Sequence, residues 1–496
     1  MHINQREGVL VDPHHRLSED QVRLVDDVSR ALLEDPGLLC FNDEATNIFR
    51  NAGARVEDAG ECRRVRIHAG LVDGALNAAP SIVTLGARDP DNRLVLDAAE
   101  PRVRFGSGSE TNIWLEVSFD GPHPRFEQRK GSIRRLADSA HLCDKLEHLD
   151  FFIRNVNIQD EEVTVENKDV NKFLASLANI TKHVQGGLTS LSALDDVIRL
   201  GEIVAGGKET FEKEPVLSFI ACLVKSPLQF VDDTTAKTLA IAKRGVPLVV
   251  SSCPMAGATG PFDEFGIVAQ INAEILAGVT LTQLVSPGAP VLYGSVPVRT
   301  RLDNLNDMYG APEFNHYNQD CAQMARYYHL PCYSTAGVGD TTAPGIQATV
   351  EKMLTLMEVP RSGAQYVHYA FGLLDRTNIF CPEQAVLDDA HIGIIKRTFE
   401  ESNVTQARQD EVLALVREIM NTPHKTYVYN LPMPSYDPVY VRYPLEDGDA
   451  GALYAAHRRY REILEWPRNP LPEDLQKHIR AEIPGVLPQT LQSCGD

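Results

Sequence analysis

The chain has 496 residues, 43% of them hydrophobic and 23% charged, an ordinary globular balance that allows a sizeable core and argues against intrinsic disorder. Its 48 Lys and Arg face 68 Asp and Glu, and the net charge of −20 repels nucleic-acid phosphates and anionic lipid, so neither is expected as a partner. Length suggests about three domains of roughly 150 residues, a prior that α/β barrels often break.

Residues 1–100 read as a helical lead-in. Over residues 18–33, Leu24, Val25, Val28, Leu32 and Leu33 form one helical stripe, and Ser18 with Gln21 makes a capping box. Pro36-Gly37 ends this helix, and a second is expected over 43–52, closed by Gly53. Residues 80–86 have strand character, followed by turn chemistry at 88–92. No basic segment leads into an apolar run at Met1, and no 18-residue apolar stretch occurs, so neither a secretory signal nor a membrane span is expected.

Beyond residue 100 the pattern becomes repetitive. Short apolar runs at 103–105, 151–156, 182–184, 216–222, 247–250, 290–293, 331–333 and 366–371 end in small or polar residues, and most precede a helical stretch. Helices are expected over 232–244, capped by Asp232 and closed by Gly245, and over 265–284, 315–328 and 345–357. Strands alternating with helices argue for a parallel sheet. Eight strands predict an α/β protein with a (β/α)8 TIM barrel over 101–380. An open doubly wound sheet would show the same alternation. Residues 381–496 return to helices, at 405–420 and 450–466, around an irregular Tyr- and Pro-rich stretch at 424–443. One barrel wrapped by helical N- and C-terminal extensions is therefore expected.

Nine cysteines (Cys40, Cys62, Cys143, Cys222, Cys253, Cys321, Cys332, Cys381 and Cys494) are odd in number, scattered, and form no CxxC pair. Reduced thiols in a cytoplasmic protein fit this usage. In a parallel barrel the site lies at the C-terminal strand ends. Here those ends are Gly106-Ser107-Gly108-Ser109-Glu110, Gln185-Gly186-Gly187, Ser251-Ser252-Cys253, Gly294-Ser295, Ser334-Thr335-Ala336-Gly337 and His368 to Gly372. Small and hydroxyl side chains predominate, as in a roomy pocket without heavy charge.

Gly106 and Gly108 lack the third glycine of a dinucleotide loop, and no nucleotide is expected. His316, Cys321, His329 and Cys332 lie close in sequence but do not match a zinc spacing, so core or surface roles are preferred and no metal is assigned. GxSxG, HExxH and Walker A motifs do not occur. On alternation, Tyr366, His368 and Ala370 share one strand face and Val367, Tyr369 and Phe371 the other. For His368, and equally for Tyr293, a pocket role and a hydrogen-bonded core role both stay open.

Ordered motifs then become recognisable: Cys253-Pro254-Met255-Ala256-Gly257-Ala258-Thr259-Gly260-Pro261, Gln270-Ile271-Asn272-Ala273-Glu274, Leu281-Thr282-Gln283, Pro287-Gly288-Ala289-Pro290, Tyr293-Gly294, Gly339-Asp340-Thr341-Thr342-Ala343-Pro344 and Gln347-Ala348. Ala52-Gly53-Ala54, Val65-Arg66-Ile67 and Gly86-Ala87-Arg88-Asp89-Pro90 precede them in order. Together they resemble the trimethylamine methyltransferase superfamily over most of the chain. The resemblance implies a (β/α)8 barrel that passes a methyl group from a methylated amine to the cobalt of a corrinoid (cobalamin) carried by a partner corrinoid-binding protein. Founding members contain pyrrolysine, whereas the comparable stretch here, residues 335–344, has none. The expected donor therefore moves from trimethylamine to a quaternary amine such as glycine betaine, in the non-pyrrolysine branch of the family.

A quaternary ammonium leaves as a neutral amine, so displacement by Co(I) needs no general acid, base or nucleophile from the protein, and none is assigned. An aromatic cage and exclusion of water suffice. Substrate-binding candidates are Tyr293, His368, Tyr369 and Phe371 for the cage, and Glu274 and Gln283 on the helix before Pro287. Asp340, Thr341 and Thr342 are candidates in the stretch that replaces pyrrolysine. Glu274 either offsets the ammonium charge or makes a helix-surface salt bridge, and Gln347, His368 or Arg299 are candidates to receive a betaine carboxylate. A non-catalytic amine binder or corrinoid-protein scaffold, and a zinc-dependent corrinoid methyltransferase, remain as alternatives. Homo-oligomerisation is open.

Overall fold

The computed structural model describes residues 6–121, 123–400, 402–425 and 450–491. Eight short parallel strands form its centre: β1 (Arg102–Phe105), β2 (Phe151–Ile153), β3 (His183–Gly186), β4 (Leu217–Cys222), β5 (Leu248–Ser252), β6 (Val291–Ser295), β7 (Cys332–Thr335) and β8 (Tyr366–His368). Each falls on one of the eight apolar runs. Neighbours pair in chain order from β2 to β8, and β8 then pairs with β1. The result is a large curled parallel sheet in a mixed α/β protein. Almost every strand residue is buried, because helices cover the outer face and side chains fill the inner one.

Between β1 and β2 the contact is slighter: a parallel bridge from Gly106 to Phe151, and the Asp150 N–H donating to the Phe105 carbonyl at 2.7 Å. The Asp150 carboxylate accepts in return from the Phe105 N–H at 2.9 Å. Arg6 Nε at 2.8 Å, from the N-terminal segment, and Lys396 Nζ at 3.1 Å, from helix Pro382–Thr398, hold the same carboxylate. Burial would raise this carboxyl, but Lys396, Arg6 and the Phe105 N–H outweigh burial and keep it below the usual range.

Every strand is followed in sequence by a helix. After β4 to β7 these are Asp232–Arg244, Glu264–Val285, Pro312–Tyr327 and Ile346–Glu358. Gly245 ends the first in a left-handed conformation, as expected, but its N-cap is Val231 and Asp232 is already helical. Helix Glu264–Val285 is long and apolar enough by composition to cross a membrane, yet it is packed inside the protein. Capping of the first helix by Ser18 and Gln21 occurs as the sequence indicates.

The lead-in is less helical than expected. Alongside Glu19–Glu34, Asp43–Asn51 and Ala69–Ala78 it contains strands Leu38–Cys40, Arg55–Asp58 and Arg63–Arg66. The last two are charged and partly exposed, so no apolar alternation announces them. A hairpin, Ile82–Leu85 with Leu94–Asp97, packs Val83, Leu85, Leu94 and Leu96 against Phe151, Val249, Leu292, Tyr333 and Tyr366 on the inner face. It therefore fills the sheet's interior from the N-terminal ends of the strands. A second unexpected hairpin, Ile113–Asp120 with His123–Lys130, interrupts the passage from β1 to its helix. In the C-terminal region, Pro382–Thr398, Gln409–Asn421, Ala450–Glu465 and Glu473–Glu482 are helical. The irregular Tyr- and Pro-rich stretch beyond Lys425, like Cys494, lies outside the described residues.

Asp150→Ala is expected to lower unfolding free energy by about 3–5 kcal/mol, because two cations and a buried N–H lose their partner together. Denaturant titration measures it, and a change below about 1 kcal/mol contradicts the role given to Asp150.

Candidate active site

Aromatic rings face one another in an unbroken series across the inner surface of the sheet. Phe151 stacks on Tyr366 with centroids 3.5 Å apart, Tyr366 lies 5.7 Å from Tyr333, and Tyr333 stacks on His368 at 4.1 Å. His368 then meets Tyr369 at 3.8 Å, and Tyr369 meets Tyr309 edge-on at 6.2 Å. The series begins beside the filling hairpin and ends at the C-terminal strand ends.

His368 is fully buried, and its Nδ1–H donates to the Ser334 carbonyl at 2.8 Å. Burial, only partly offset by that bond, pushes its pKa down to about 3, so the ring is neutral at physiological pH. Tyr369 departs from strand alternation. Its φ of +70° turns the chain into the left-handed region, and the ring folds back onto His368 instead of taking the opposite face. The turn is held by bonds from the Tyr369 and Ala370 N–H groups to the Ser107 and Gly106 carbonyls.

The two glycines after β1 have a steric role. A Cβ on Gly106 would lie 2.0 Å from the Phe151 ring, and one on Gly108 would lie 2.4 Å from the Tyr369 ring. Glycine is thus needed for ring packing at both positions, independently of any nucleotide.

Tyr369 is partly accessible, and Cys222 and Cys253 at the ends of β4 and β5 are exposed. Surrounding protein nevertheless desolvates both thiols and raises them above the ordinary cysteine value. Water-accessible surface that is still strongly desolvated belongs to a recess. Tyr309, Tyr369, Tyr333, Cys222, Cys253 and Asp307 are close enough to influence one another's ionisation, which groups them around it. Burial raises all three phenols, keeping them neutral.

Asp340 stands at the rim and accepts the Tyr309 N–H at 3.0 Å and the Gly310 N–H at 2.9 Å, fixing the loop that carries Tyr309. Its own N–H donates to Glu351, whose other oxygen accepts from Gln347 at 2.6 Å. Thr341 donates to the Ala343 carbonyl and accepts the Asp375 N–H through its own carbonyl. Thr342 and Gln347 are exposed.

Three candidates, Tyr293, Phe371 and Gln283, lie elsewhere, whereas Glu274 adjoins the recess beside Ser252 and Cys253. Tyr293 points away from the recess and donates from its hydroxyl to Asn272 of helix Glu264–Val285 at 2.9 Å. Phe371 is buried in the outer core. Gln283 braces the turn before β6, accepting the Gly288 N–H and donating to the Ala289 carbonyl, at the end of the sheet opposite the recess. Glu274 is not on the helix surface. It is fully buried and accepts from Ser226 at 2.8 Å, the Leu228 N–H at 3.0 Å, Gln270 at 3.0 Å and Ser252. Burial raises its pKa despite these donors. Its visible work is to clamp the loop after β4 to the end of β5. Arg299 lies over the Phe262 ring.

Beside the recess is a charge network that sequence reading did not single out. Glu110, after β1, accepts from Lys172 at 2.9 Å and pairs with Arg154 at 2.7 Å, while Lys172 lies 3.6 Å from Asp169. Arg154, Lys172 and Asp169 are buried, and Glu110 is the accessible member. Burial would raise Glu110, but the two cations prevail and hold it ionised. Among the described residues no group of three or more His, Cys, Asp or Glu is arranged to hold a metal ion, and His316 pairs with Glu264.

With this geometry in view, comparison with known proteins identifies the family. The family model for trimethylamine methyltransferase matches residues 7–425. The chain belongs to the trimethylamine methyltransferase family. It is 30% identical to a trimethylamine methyltransferase of Desulfitobacterium hafniense (strain DSM 10664 / DCB-2), over 96% of this chain and 94% of that protein. A glycine betaine methyltransferase of Desulfitobacterium hafniense (strain Y51) is 26% identical over 99% of this chain and 100% of that protein. A trimethylamine methyltransferase of Methanosarcina barkeri is 29% identical over 78% of this chain and 76% of that protein. The chain is thus a methyltransferase, and the aromatic recess is the candidate place for its chemistry.

Two outcomes follow for this methyltransferase. Gly108→Ala displaces the Tyr369 ring, and activity should fall at least tenfold while far-UV circular dichroism stays that of wild type; unchanged activity would sink the packing argument. His368 binds its proton far more weakly folded than unfolded, so its contribution to stability is complete above pH 6.5 and is lost as pH falls towards 3. His368→Asn should make stability in this window less steep by up to about 1.4 kcal/mol per pH unit, read from denaturant titrations at each pH.

Proposed function

We propose that this methyltransferase takes a methyl group from a quaternary amine, glycine betaine or a related betaine, and delivers it to Co(I) of a corrinoid carried by a separate protein. The observation carrying this reading is the series of neutral rings, Tyr333, His368, Tyr369 and Tyr309, that leads into the recess. A quaternary ammonium is bound by ring faces at about 0.5–2 kcal/mol per contact, increasing with desolvation. Relatives named for trimethylamine and for glycine betaine share a methylated nitrogen as the group acted on. The lack of pyrrolysine favours the quaternary class.

In the reaction the N–CH3 bond breaks and its electron pair stays on nitrogen, giving a neutral tertiary amine. A new bond forms between the methyl carbon and the cobalt, using the pair that Co(I) brings. No proton moves, in keeping with a site whose histidine and phenols are all held neutral. The rings position the cation and exclude water, which favours a transition state with dispersed charge. Asp307, 3.9 Å from Arg376, stands at the edge of the recess. Asp340, Thr341, Thr342 and Gln347 act on the rim, by fixing the Tyr309 loop and its surroundings. The corrinoid is a substrate brought by its own carrier and approaches the strand ends.

The same reading takes the eight strands as a closed (β/α)8 barrel, supported by the Gly106–Phe151 bridge, with residues 1–100 and 381–496 as extensions around 101–380. Scattered cysteines, all free among the described residues, favour a cytoplasmic setting.

The test mixes the protein, Co(I) cobalamin and one amine at a time, with absorbance reporting methyl-Co(III). Methylation by a betaine is expected, with Tyr369→Ala losing about 2- to 30-fold in kcat/KM and Tyr369→Phe retaining most of it. Tight binding of a quaternary amine with no methyl transfer to free cobalamin or to a corrinoid protein would favour a binding protein instead.

A further inference from the structure

Two opposite charges lie buried in the helix layer behind the recess, and both are bonded to loops that form its wall. Lys352, on helix Ile346–Glu358, and Asp388, on helix Pro382–Thr398, are fully buried, with Nζ and Oδ2 3.1 Å apart. The Lys352 ammonium directs its donors to Asp388, to the Leu373 carbonyl at 3.2 Å and to the Gly337 carbonyl, which satisfies all of them. Asp388 accepts the Gly372 N–H at 2.7 Å through Oδ2 and Gln384 Nε2 at 2.9 Å through Oδ1. A buried pair of this kind adds little stability over apolar residues of the same volume, because both ions lose their hydration. What it provides is fixed geometry at the groups it binds.

Those groups belong to two loops. Gly337 lies just after β7, in the loop that carries Asp340, and Gly372 and Leu373 lie just after Tyr369 in the loop following β8. The loops touch directly. A Cβ on Gly337 would lie 2.7 Å from Ala370 Cα, and the Gly339 N–H donates to the Leu373 carbonyl at 3.3 Å. Tyr369 sits in a left-handed conformation, which a residue other than glycine keeps only where its surroundings impose it. The Ser107 and Gly106 carbonyls hold one side of this turn through the Tyr369 and Ala370 N–H groups. Lys352 and Asp388 hold the other.

We propose that Lys352 and Asp388 are positioning residues for methyl transfer, locking the turn after β8 to the loop after β7 so that the Tyr369 ring stays against His368. Both act through Tyr369 and not on the substrate. The proposal rests on the aromatic recess as the place of the chemistry, and on no particular amine. Orientation contributes strongly to a displacement, so a small shift of the ring lowers the rate even where the fold survives.

Methyl transfer to Co(I) cobalamin, followed by absorbance, tests it with glycine betaine as donor, or with trimethylamine if glycine betaine gives no turnover. Lys352→Met with Asp388→Asn removes both charges at nearly constant volume and leaves an acceptor for the Gly372 N–H. This pair variant should keep wild-type circular dichroism and lose about fivefold or more in kcat/KM. Lys352→Gln with Asp388→Asn, which restores donors for the two carbonyls, should recover part of that loss, and it carries the test if the methionine variant does not fold. Combined with Tyr369→Ala, either pair variant should stay within about twofold of the weaker of its two parents, since both changes act on one ring. The proposal fails if a folded pair variant has wild-type kcat/KM, or if its loss multiplies in full with that of Tyr369→Ala. Wild-type activity in Tyr369→Ala itself would instead overturn the recess reading, and this proposal with it.

Discussion

The curled sheet depends on its weakest seam, between β1 and β2, where regular pairing reduces to two isolated bridges, Gly106 to Phe151 and, just beyond the strands, Thr111 to Val156. Asp150 reinforces that seam by exchanging two hydrogen bonds with Phe105 while Arg6 and Lys396 neutralise it. Strands this short contribute few ladder bonds each, so one buried carboxylate holding the N-terminal segment and helix Pro382–Thr398 to the seam has a large effect on the whole. Gly106 adds a geometric condition at the same place, since it lets the Phe151 ring cross to the inner face. From that ring onward the aromatic series follows.

The interior is divided by chemistry along its axis. Aliphatic side chains of the hairpin Ile82–Leu85 and Leu94–Asp97 occupy the lower part. A polar step comes next, where the His183 ring bridges the Gly86 carbonyl and the Ser218 hydroxyl. Stacked rings then lead to the strand ends. Burial holds His183 and His368 neutral, so the interior presents π surface and dipoles to whatever enters. Charge is kept to one side, in the network of Glu110, Arg154, Lys172 and Asp169.

Strand positions were legible because buried parallel strands are continuous apolar runs, and all eight appear where those runs lie. The charged strands Arg55–Asp58 and Arg63–Arg66 and the hairpin Ile113–Asp120 with His123–Lys130 were not legible, since half-exposed antiparallel strands carry weaker patterns. For the candidate site, His368 and Tyr369 were visible as an aromatic cluster at a strand end. Their shared side was not, because one positive φ at Tyr369 cancels the alternation that would separate them. Tyr309 was missed because it comes from a loop after β6 that is placed by Asp340 and by the pairing of Asp307–Met308 with Val298–Thr300, neither of which leaves a local sequence pattern. Glu274 and Gln283, which match family motifs, also have visible architectural work: one clamps a loop and the other braces a turn.

The filled lower end has a kinetic consequence. Under the proposed function, a recess filled at its lower end would admit the small amine and present it to the acceptor protein through the mouth at the strand ends. An acceptor seated there would stopper the recess, so amine would have to enter first and demethylated product would wait for the acceptor to leave. Turnover would then be governed by how quickly two proteins part, and a tighter complex between them would make a slower enzyme.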